Sequence, residues 1–326
     1  MRAIQTERLR KEYSDEIIAV DGIDLQVEEG EMFAFLGPNG AGKTTTVRML
    51  TTLLRPTSGR ATVAGFDLLQ DQHAIRRTIG VALQEAGLDP LSTGRELLQL
   101  QAQLCGLSTT DSKRRAQEML ELVGLTDASE RNVKTYSGGM KRRLDLASAL
   151  VHEPRILFLD EPTEGLDPAS RQSVWQEVQR LNQRGMTVFL TTHYLEEADR
   201  LADRVAIIDH GYVVAEGTPA ELKASVGSDV VTVHVGYGMV EPAKSLLSTL
   251  EGLRETRANG SSLTLFVEDG TQAVAQVIRL LDGANVELGA VSVAQPSLDE
   301  VFLKATGSRL EGAAAATSED NSDGNH

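Results

Sequence analysis

The sequence predicts an α/β protein: a phosphate-binding core on a parallel sheet, with an antiparallel β subdomain and a helical insert, followed by a small α+β domain. Three observations carry this. Gly37-Pro38-Asn39-Gly40-Ala41-Gly42-Lys43-Thr44-Thr45 reads G-x-x-x-x-G-K-[ST] between an apolar run, 32–36, and a helical run, 44–54. Ile156 to Leu159 are apolar and run straight into Asp160 and Glu161. A strand buried on both faces reads this way, and open α/β sheets bind ligands at the carboxyl ends of such strands. After residue 228, short strand and helix patterns alternate again.

The glycine-rich stretch reads as a phosphate-binding loop, of the kind at the core of P-loop nucleotide hydrolases; by itself it indicates a nucleotide phosphate and no particular machine. Its glycines let backbone N–H groups turn inward around phosphate oxygens, and the helix that follows adds its positive end. Lys43 is placed to reach the β- and γ-phosphates, and the Thr44 hydroxyl to ligate Mg²⁺. A plain glycine turn before a helix would not need Lys and Thr both in register.

At 326 residues, 41% of them hydrophobic and 24% charged, the chain can bury a large core and hold two domains. A net charge of −15 argues against tight, sequence-independent nucleic-acid binding by the bare surface. The single cysteine, Cys105, rules out an internal disulfide and fits a reducing compartment; it is expected to be a small core residue. Residues 1–13 are charged and lack the apolar core of a signal peptide. No run approaches the ~18 apolar residues that cross a bilayer, so a membrane role calls for a partner chain.

Taken in order, residues 3–11 and 17–27 read as antiparallel strands about a turn at Tyr13-Ser14-Asp15-Glu16. By spacing alone Tyr13 is a tyrosine packed on a sheet edge, with stacking on a purine ring as the alternative. Arg55-Pro56-Thr57-Ser58-Gly59 is a turn, 60–63 a strand, and 75–83 an apolar approach ending at Gln84. A glutamine after a strand is ordinarily surface decoration; beside a nucleotide it would ligate Mg²⁺ or orient the attacking water. From 92 to 124 the pattern is helical, with Leu97, Leu98, Gln101 and Leu104, then Ala116, Met119, Leu120 and Val123, at three- and four-residue spacing. This is a helical insert, about 88–150, between strands of the core sheet, in which Met119 and its neighbours are packing positions.

Ser137-Gly138-Gly139 opens a helix through Leu150 and is either an ordinary N-cap or a second anion-competent helix start. Adjacent strand residues point opposite ways, which gives Asp160 and Glu161 different tasks. Asp160 suits the Mg²⁺ shell through water, and Glu161 suits polarising the water that attacks the γ-phosphate. A capping or salt-bridged pair is the structural alternative. Glu164-Gly165-Leu166-Asp167-Pro168 is a turn before a helix, 169–184. A buried strand, 187–192, ends at His193, which is either a satisfied core or surface group or a γ-phosphate contact. Strands 205–209 and 212–215 form a hairpin about His210-Gly211.

In this order, over roughly residues 2–220, the motifs closely resemble those of the ATP-binding subunit of ABC transporters. Gly37 to Thr45 matches the Walker A loop, Gln84 the Q-loop, and Ser137-Gly138-Gly139 the signature. Asp160 and Glu161 match the end of Walker B, Gly165-Leu166-Asp167 the D-loop, and His193 the switch histidine. The resemblance implies that Tyr13 stacks on adenine, which reverses the sheet-edge reading. It implies that the loop, Ser137, Gly138, Gly139 and Asp167 contact ATP, and that Thr44, Gln84 and Asp160 serve Mg²⁺. Glu161, His193 and Gln84 are implied in hydrolysis. Two positions depart from the family pattern: Met140, where the signature has glutamine, and Glu164, where the D-loop has a small polar residue. Met140 before Lys141-Arg142-Arg143 is similar to the daunorubicin/doxorubicin-resistance type of exporter ATPase.

Behind a first domain at 1–222, residues 228–306 read as a small α+β domain of ferredoxin-like kind, with strands at 230–235, 263–267 and 287–293 and helices at 241–250 and 271–281. Pro296-Ser297-Leu298-Asp299-Glu300-Val301-Phe302-Leu303 resembles the motif that closes the accessory domain of that exporter type. Its plain reading is a helix packing Leu298, Val301 and Phe302 on its own domain. Residues 307–326 are Ala-, Ser- and Asp-rich and are expected to be disordered.

The resemblance also implies partners. ATP would bridge two copies of the chain, held between the loop of one and Ser137 to Gly139 of the other. An integral-membrane permease would dock near the groove between the helical insert and Gln84, with the chain peripheral on the cytoplasmic face of the membrane and no nucleic acid bound. Hydrolysis would then power efflux of a drug, antibiotic or lipid-like compound. The alternative is a soluble ABC-type ATPase working on nucleic acid or the ribosome. Such chains commonly carry two ATPase units, or a coiled-coil or zinc insertion; this sequence has one unit, no long heptads and one cysteine.

Overall fold

The structure, a computed structural model, describes residues 1–13, 17–84, 87–227, 229–236, 238–260, 262–284, 286, 288–294 and 296–307. The turn expected at Ser14 to Glu16, and the expected disordered tail beyond Gly307, lie outside the described residues. The chain divides into two compact units between Pro219 and Ala220.

In the first unit, β1 Arg2–Glu12, β2 Ile18–Ile23 and β3 Gln26–Glu28 lead to β4 Met32–Leu36 and α1 Lys43–Leu50. Then come β5 Ser58–Val63, β6 Phe66–Asp67, α2 Gln72–Thr78 and β7 Ile79–Ala82, followed by the helices α3 Gly94–Leu104, α4 Thr109–Leu122 and α5 Gly138–Leu150. The core resumes with β8 Ile156–Asp160, α6 Pro168–Gln183, β9 Thr187–Thr192, α7 Leu195–Leu201, β10 Arg204–Asp209 and β11 Tyr212–Gly217.

Among the described residues the core sheet has strand order β11-β10-β4-β9-β8-β7. It is parallel except for β11, which pairs antiparallel with β10 at one edge. Every residue of β4, β8 and β9 is buried, as continuous apolar strands covered on both faces are. Phe189 on β9 is the centre of the packing. The rings of Phe33, Phe35 and Phe158 lie 5.5, 5.7 and 5.6 Å from it. Each buried phenylalanine contributes about 1.5–3 kcal/mol, and each ring pair about 0.5–1.5 kcal/mol more. This packing fixes register: Phe33 and Phe158 both stand opposite Phe189, so Leu36 ends beside Thr192 and Asp160 beside Thr191. The strand ends that launch the phosphate loop and the carboxylates are thereby set next to each other. A second, antiparallel sheet runs β2-β1-β5-β6, with β3 also paired to β1.

Local departures from expectation have local causes. The single strand expected at 17–27 is two, interrupted where Asp24 accepts a 2.6 Å hydrogen bond from the Arg8 amide. The apolar approach at 75–83 is helical through Thr78 and extended only from Ile79; Ile75 is buried as part of α2. The first helix stops at Leu50, because Thr52 takes a φ of 63°. Cys105 is exposed, not a core residue. It caps the end of α3, whose buried face runs through Gly94, Leu98 and Ala102, and Leu104 beside it is 74% exposed.

The second unit opens in α8 Pro219–Val226 and continues β12 Asp229–Val235, α9 Val240–Leu247, β13 Leu253–Asn259, β14 Ser262–Val267, α10 Gly270–Gly283, β15 Leu288–Ala294 and α11 Leu298–Thr306. Its antiparallel sheet has order β13-β14-β12-β15, and β12 to β15 with α9 and α10 make a β-α-β-β-α-β unit of ferredoxin-like kind. Its core gathers Val231, Val233, Leu263, Leu265, Val277 and Leu281. Strand β13 was not expected: Leu-Arg-Glu-Thr-Arg-Ala-Asn shows no alternation, because the edge strand buries none of its residues fully. In α11, Leu298, Val301 and Phe302 are buried and Ser297 is the N-cap.

Candidate nucleotide site

From Leu36 the chain turns through Gly37 to Gly42 into α1. Gly42 is the N-cap, with a φ of 110°. A Cβ there would meet the Ala19 carbonyl, and one at Gly37 would meet the Ile208 carbonyl. Only glycine lets the loop lie this close to its neighbours. Lys43 is 4% exposed and folds back over the loop. Its Nζ donates to the Gly37 carbonyl at 2.8 Å and the Pro38 carbonyl at 2.9 Å, and stands 3.0 Å from Glu161 Oε1. A cleft of about 290 Å³ opens here, lined by Asn39, Gly40, Lys43, Thr44, Gln84 and Glu161 among others. The free N–H groups and dipole at the start of α1 make its floor an anion site.

Asp160 and Glu161 serve different partners. Asp160 is fully buried; its Oδ1 accepts from Thr191 Oγ1 at 2.6 Å and Thr44 Oγ1 at 3.2 Å, while Oδ2 has no hydrogen-bond partner. The chain then enters the left-handed region at Glu161, φ 49°, which is uncommon for a non-glycine residue. This turns its carboxylate to Lys43, to His193 Nδ1 at 3.4 Å, and to Gln84 Nε2, which donates to Oε2 at 3.4 Å. Burial pushes the Glu161 carboxyl up, but the neighbouring His193 ring and the Lys43 charge outweigh it and hold it at about 2. Glu161 is therefore an anion at neutral pH.

That shift has a measurable consequence. A folded pKa below the ordinary 4.5 stabilises the native state above pH 4.5, and the contribution is lost as pH falls toward about 2. Asp145, pushed up by burial to about 6 despite Arg142, acts in the opposite sense between its ordinary 3.8 and 6. Comparing wild type with Glu161→Gln cancels Asp145. Melting midpoints measured without nucleotide should converge between the two proteins as pH is lowered from 5 to about 2.5, the wild type falling faster. A constant offset would contradict the depressed pKa.

The structure thus brings Lys43, Thr44, Gln84, Asp160, Glu161 and His193 together at the carboxyl ends of β4, β7, β8 and β9. Asn39, Gly40, Gly42 and Thr45 line the same cleft, whereas Tyr13, Ser137, Gly138, Gly139 and Asp167 stand apart from it. Tyr13 is 39% exposed, with the Lys11 ammonium 5.3 Å above its ring. Ser137 caps α5, accepting from the Met140 amide at 3.2 Å, and Asp167 caps α6, accepting from the Ser170 amide at 3.0 Å. Gly138 lies next to Leu166, so these two exposed helix starts share one face. Met140 supplies its amide to the cap, which a change of side chain leaves intact. Glu164 accepts from Gln84 Nε2 at 2.6 Å.

Two residues here escaped the sequence reading. Thr191 accepts the Glu161 amide at 3.0 Å on its hydroxyl while donating to Asp160; its signal was a pair of threonines ending an apolar strand. Glu197, fully buried, accepts from Thr163 Oγ1 at 2.9 Å and Trp175 Nε1 at 2.7 Å. Burial pushes its carboxyl up despite these donors. It joins the segment after Glu161 to the helix after His193. Next to Glu196 in a helix's first turn, it reads in sequence as an ordinary surface charge.

Fold and site together define a P-loop ATPase. Residues 20–164 match the ABC transporter family, and residues 217–306 match the C-terminal domain of DrrA1-3-like ATP-binding proteins. The chain is 48% identical over 312 residues to the daunorubicin/doxorubicin resistance ATP-binding protein DrrA of Streptomyces peucetius, covering 94% of this chain and 93% of that one. It is 36% identical to the linearmycin resistance ATP-binding protein LnrL of Bacillus subtilis, over 94% and 99% of the two chains. Among solved structures, the dimeric ATP-binding cassette MJ0796 with ADP and Pi superposes with a TM-score of 0.61 at 28% identity, over 66% of this chain and 98% of that one. The chain belongs to the ATP-binding subunits of ABC transporters, in their daunorubicin-resistance branch. It hydrolyses ATP with Mg²⁺. Among the described residues no helix is long and apolar enough to cross a membrane.

Proposed function

We propose that this chain is the motor of an exporter that expels a drug-like or antibiotic compound through a separate membrane subunit. The observation that carries the reading is the meeting of Lys43, Thr44, Asp160, Glu161 and Gln84 at the carboxyl ends of the core strands. The cargo class follows from the resistance functions named for its relatives.

In this reading the loop amides and Lys43 bind the ATP phosphates, and Tyr13 stacks on the adenine. Thr44 Oγ1, the unpartnered Asp160 Oδ2 and the Gln84 amide are oxygen donors that suit a small hard cation. Bound there, Mg²⁺ neutralises charge on the phosphate oxygens. Glu161, ionised and gripped by Thr191 at its amide, takes a proton from the attacking water. His193 orients that carboxylate and contacts the γ-phosphate. One loop leaves a face of the triphosphate bare. The exposed start of α5 at Ser137, with Asp167 beside it, covers that face from a second copy of the chain. Loss of the γ-phosphate removes those contacts, and the loosened dimer moves the membrane partner from the cytoplasmic side.

Purification of the tagged chain from native membranes in mild detergent tests this. A polytopic membrane protein is expected to co-purify in stoichiometric amount and to stimulate ATP turnover. Recovery with ribosomes or nucleic acid instead would retain the ATPase and overturn the export assignment.

A further inference from the structure

We propose that Arg142 is a positioning residue of the ATPase cycle, fixing the helix that starts at Ser137 to the strand ends that carry Gln84 and Glu161, so that contact at the first is felt at the other two. The inference rests on the ATPase reading above.

Arg142 is in the second turn of α5 and is 9% exposed. Its Nε donates to the Pro162 carbonyl at 2.8 Å, Nη1 to the Leu83 carbonyl at 2.6 Å, and Nη2 to the Asp160 carbonyl at 3.0 Å. Leu83 precedes Gln84, and Asp160 and Pro162 flank Glu161. One side chain therefore holds the backbone on both sides of the carboxylate and immediately before the glutamine. Asp145, one turn along α5, faces Nη1 at 3.2 Å and supplies the opposite charge.

The guanidinium suits this because it is a rigid planar fork that bonds several acceptors in fixed directions. A shift of α5 cannot leave the carbonyls behind without leaving buried acceptors unpaired, which is costly. The start of α5 and the carboxyl ends of β7 and β8 are therefore coupled through directional bonds in addition to packing. Its basic neighbours do not do this: Lys141 is half-buried, and Arg143 Nη1 goes to the Val123 carbonyl at 2.9 Å. In the proposed dimer, Ser137 touches the nucleotide of one site while the same helix holds the base of the other. Arg142 would link the two.

The test uses the purified full chain with Arg142→Lys, which keeps charge and stem but replaces the fork with a point donor. ATP affinity by titration should stay within about threefold of wild type, while kcat falls about tenfold or more. Hydrogen exchange at the amides of Gln84 and Glu161 should respond to ATP in wild type and lose that response in the variant. Arg142→Gln should act in the same direction; if it fails to fold, Arg142→Lys and its exchange pattern decide. A folded Arg142→Lys protein with wild-type kcat and an unchanged exchange response would overturn the proposal. So would a loss of kcat matched by an equal loss of ATP affinity, which marks mere damage to the site. Failure of the ATPase reading itself would appear in the wild-type chain, as absence of ATP binding and turnover.

Discussion

Glu161→Gln is expected to lower ATP turnover by about 10²–10⁴-fold, the range of a lost general base, and to leave ATP binding intact. The amide has the shape of the carboxylate, and nothing about the left-handed backbone at 161 distinguishes the two residues. The 161 amide keeps both of its bonds to Thr191, and Lys43 keeps the Gly37 and Pro38 carbonyls. What changes is that the side chain no longer accepts a proton from water. ATP therefore stays whole, and an ATP-bound dimer accumulates. Single-turnover hydrolysis, ATP titration and light scattering with Mg-ATP check the three parts. Turnover near the wild-type rate would remove Glu161 from the role of base.

Lys43→Ala should abolish tight nucleotide binding. The lysine is a buried cation at the mouth of the loop, and hydrogen bonds to charged groups are worth about 1.5–3 kcal/mol each, so affinity should fall about 10–100-fold or more. A second effect must be kept separate. Removing Lys43 leaves Glu161, 5% exposed, as a buried anion without its cation, and breaking a buried pair this way costs about 3–5 kcal/mol. The single variant is thus weakened both in binding and in stability. Lys43→Ala with Glu161→Gln removes both charges. Its melting point should recover toward wild type while its ATP affinity stays low. If titration finds affinity unchanged in either variant, Lys43 is not a phosphate contact.

The parts of the fold that were legible in the sequence are those where one residue type serves one local purpose. The glycine loop with Lys43 and Thr44, and the apolar strand ending in Asp160-Glu161, show their purpose at short range. So does the alternation of β12 and β14. What escaped depends on distant partners. Arg142 looked like one of three consecutive basic residues, because its acceptors are backbone carbonyls 18, 20 and 59 residues away, and no residue type marks a carbonyl as needing a donor. Cys105 was misplaced because cysteine is usually buried, whereas the end of α3 turns its last residues outward. Residues 75–78, which the sequence shows as the start of an apolar approach to Gln84, are helical; α2 buries Ile75 alone and so carries too little periodicity to stand out.

The grip of Glu161 on Lys43 also bears on how the site clears itself. An anionic oxygen 3.0 Å from the ammonium is what a phosphate group would present. In the proposed function, loading ATP would swap one anion for another at a lysine already shielded from water. The carboxylate is tethered, so it competes at a high local concentration at the end of every turnover. In the proposed cycle, the residue that readies water for attack would also be the stand-in that reclaims the lysine as spent nucleotide leaves.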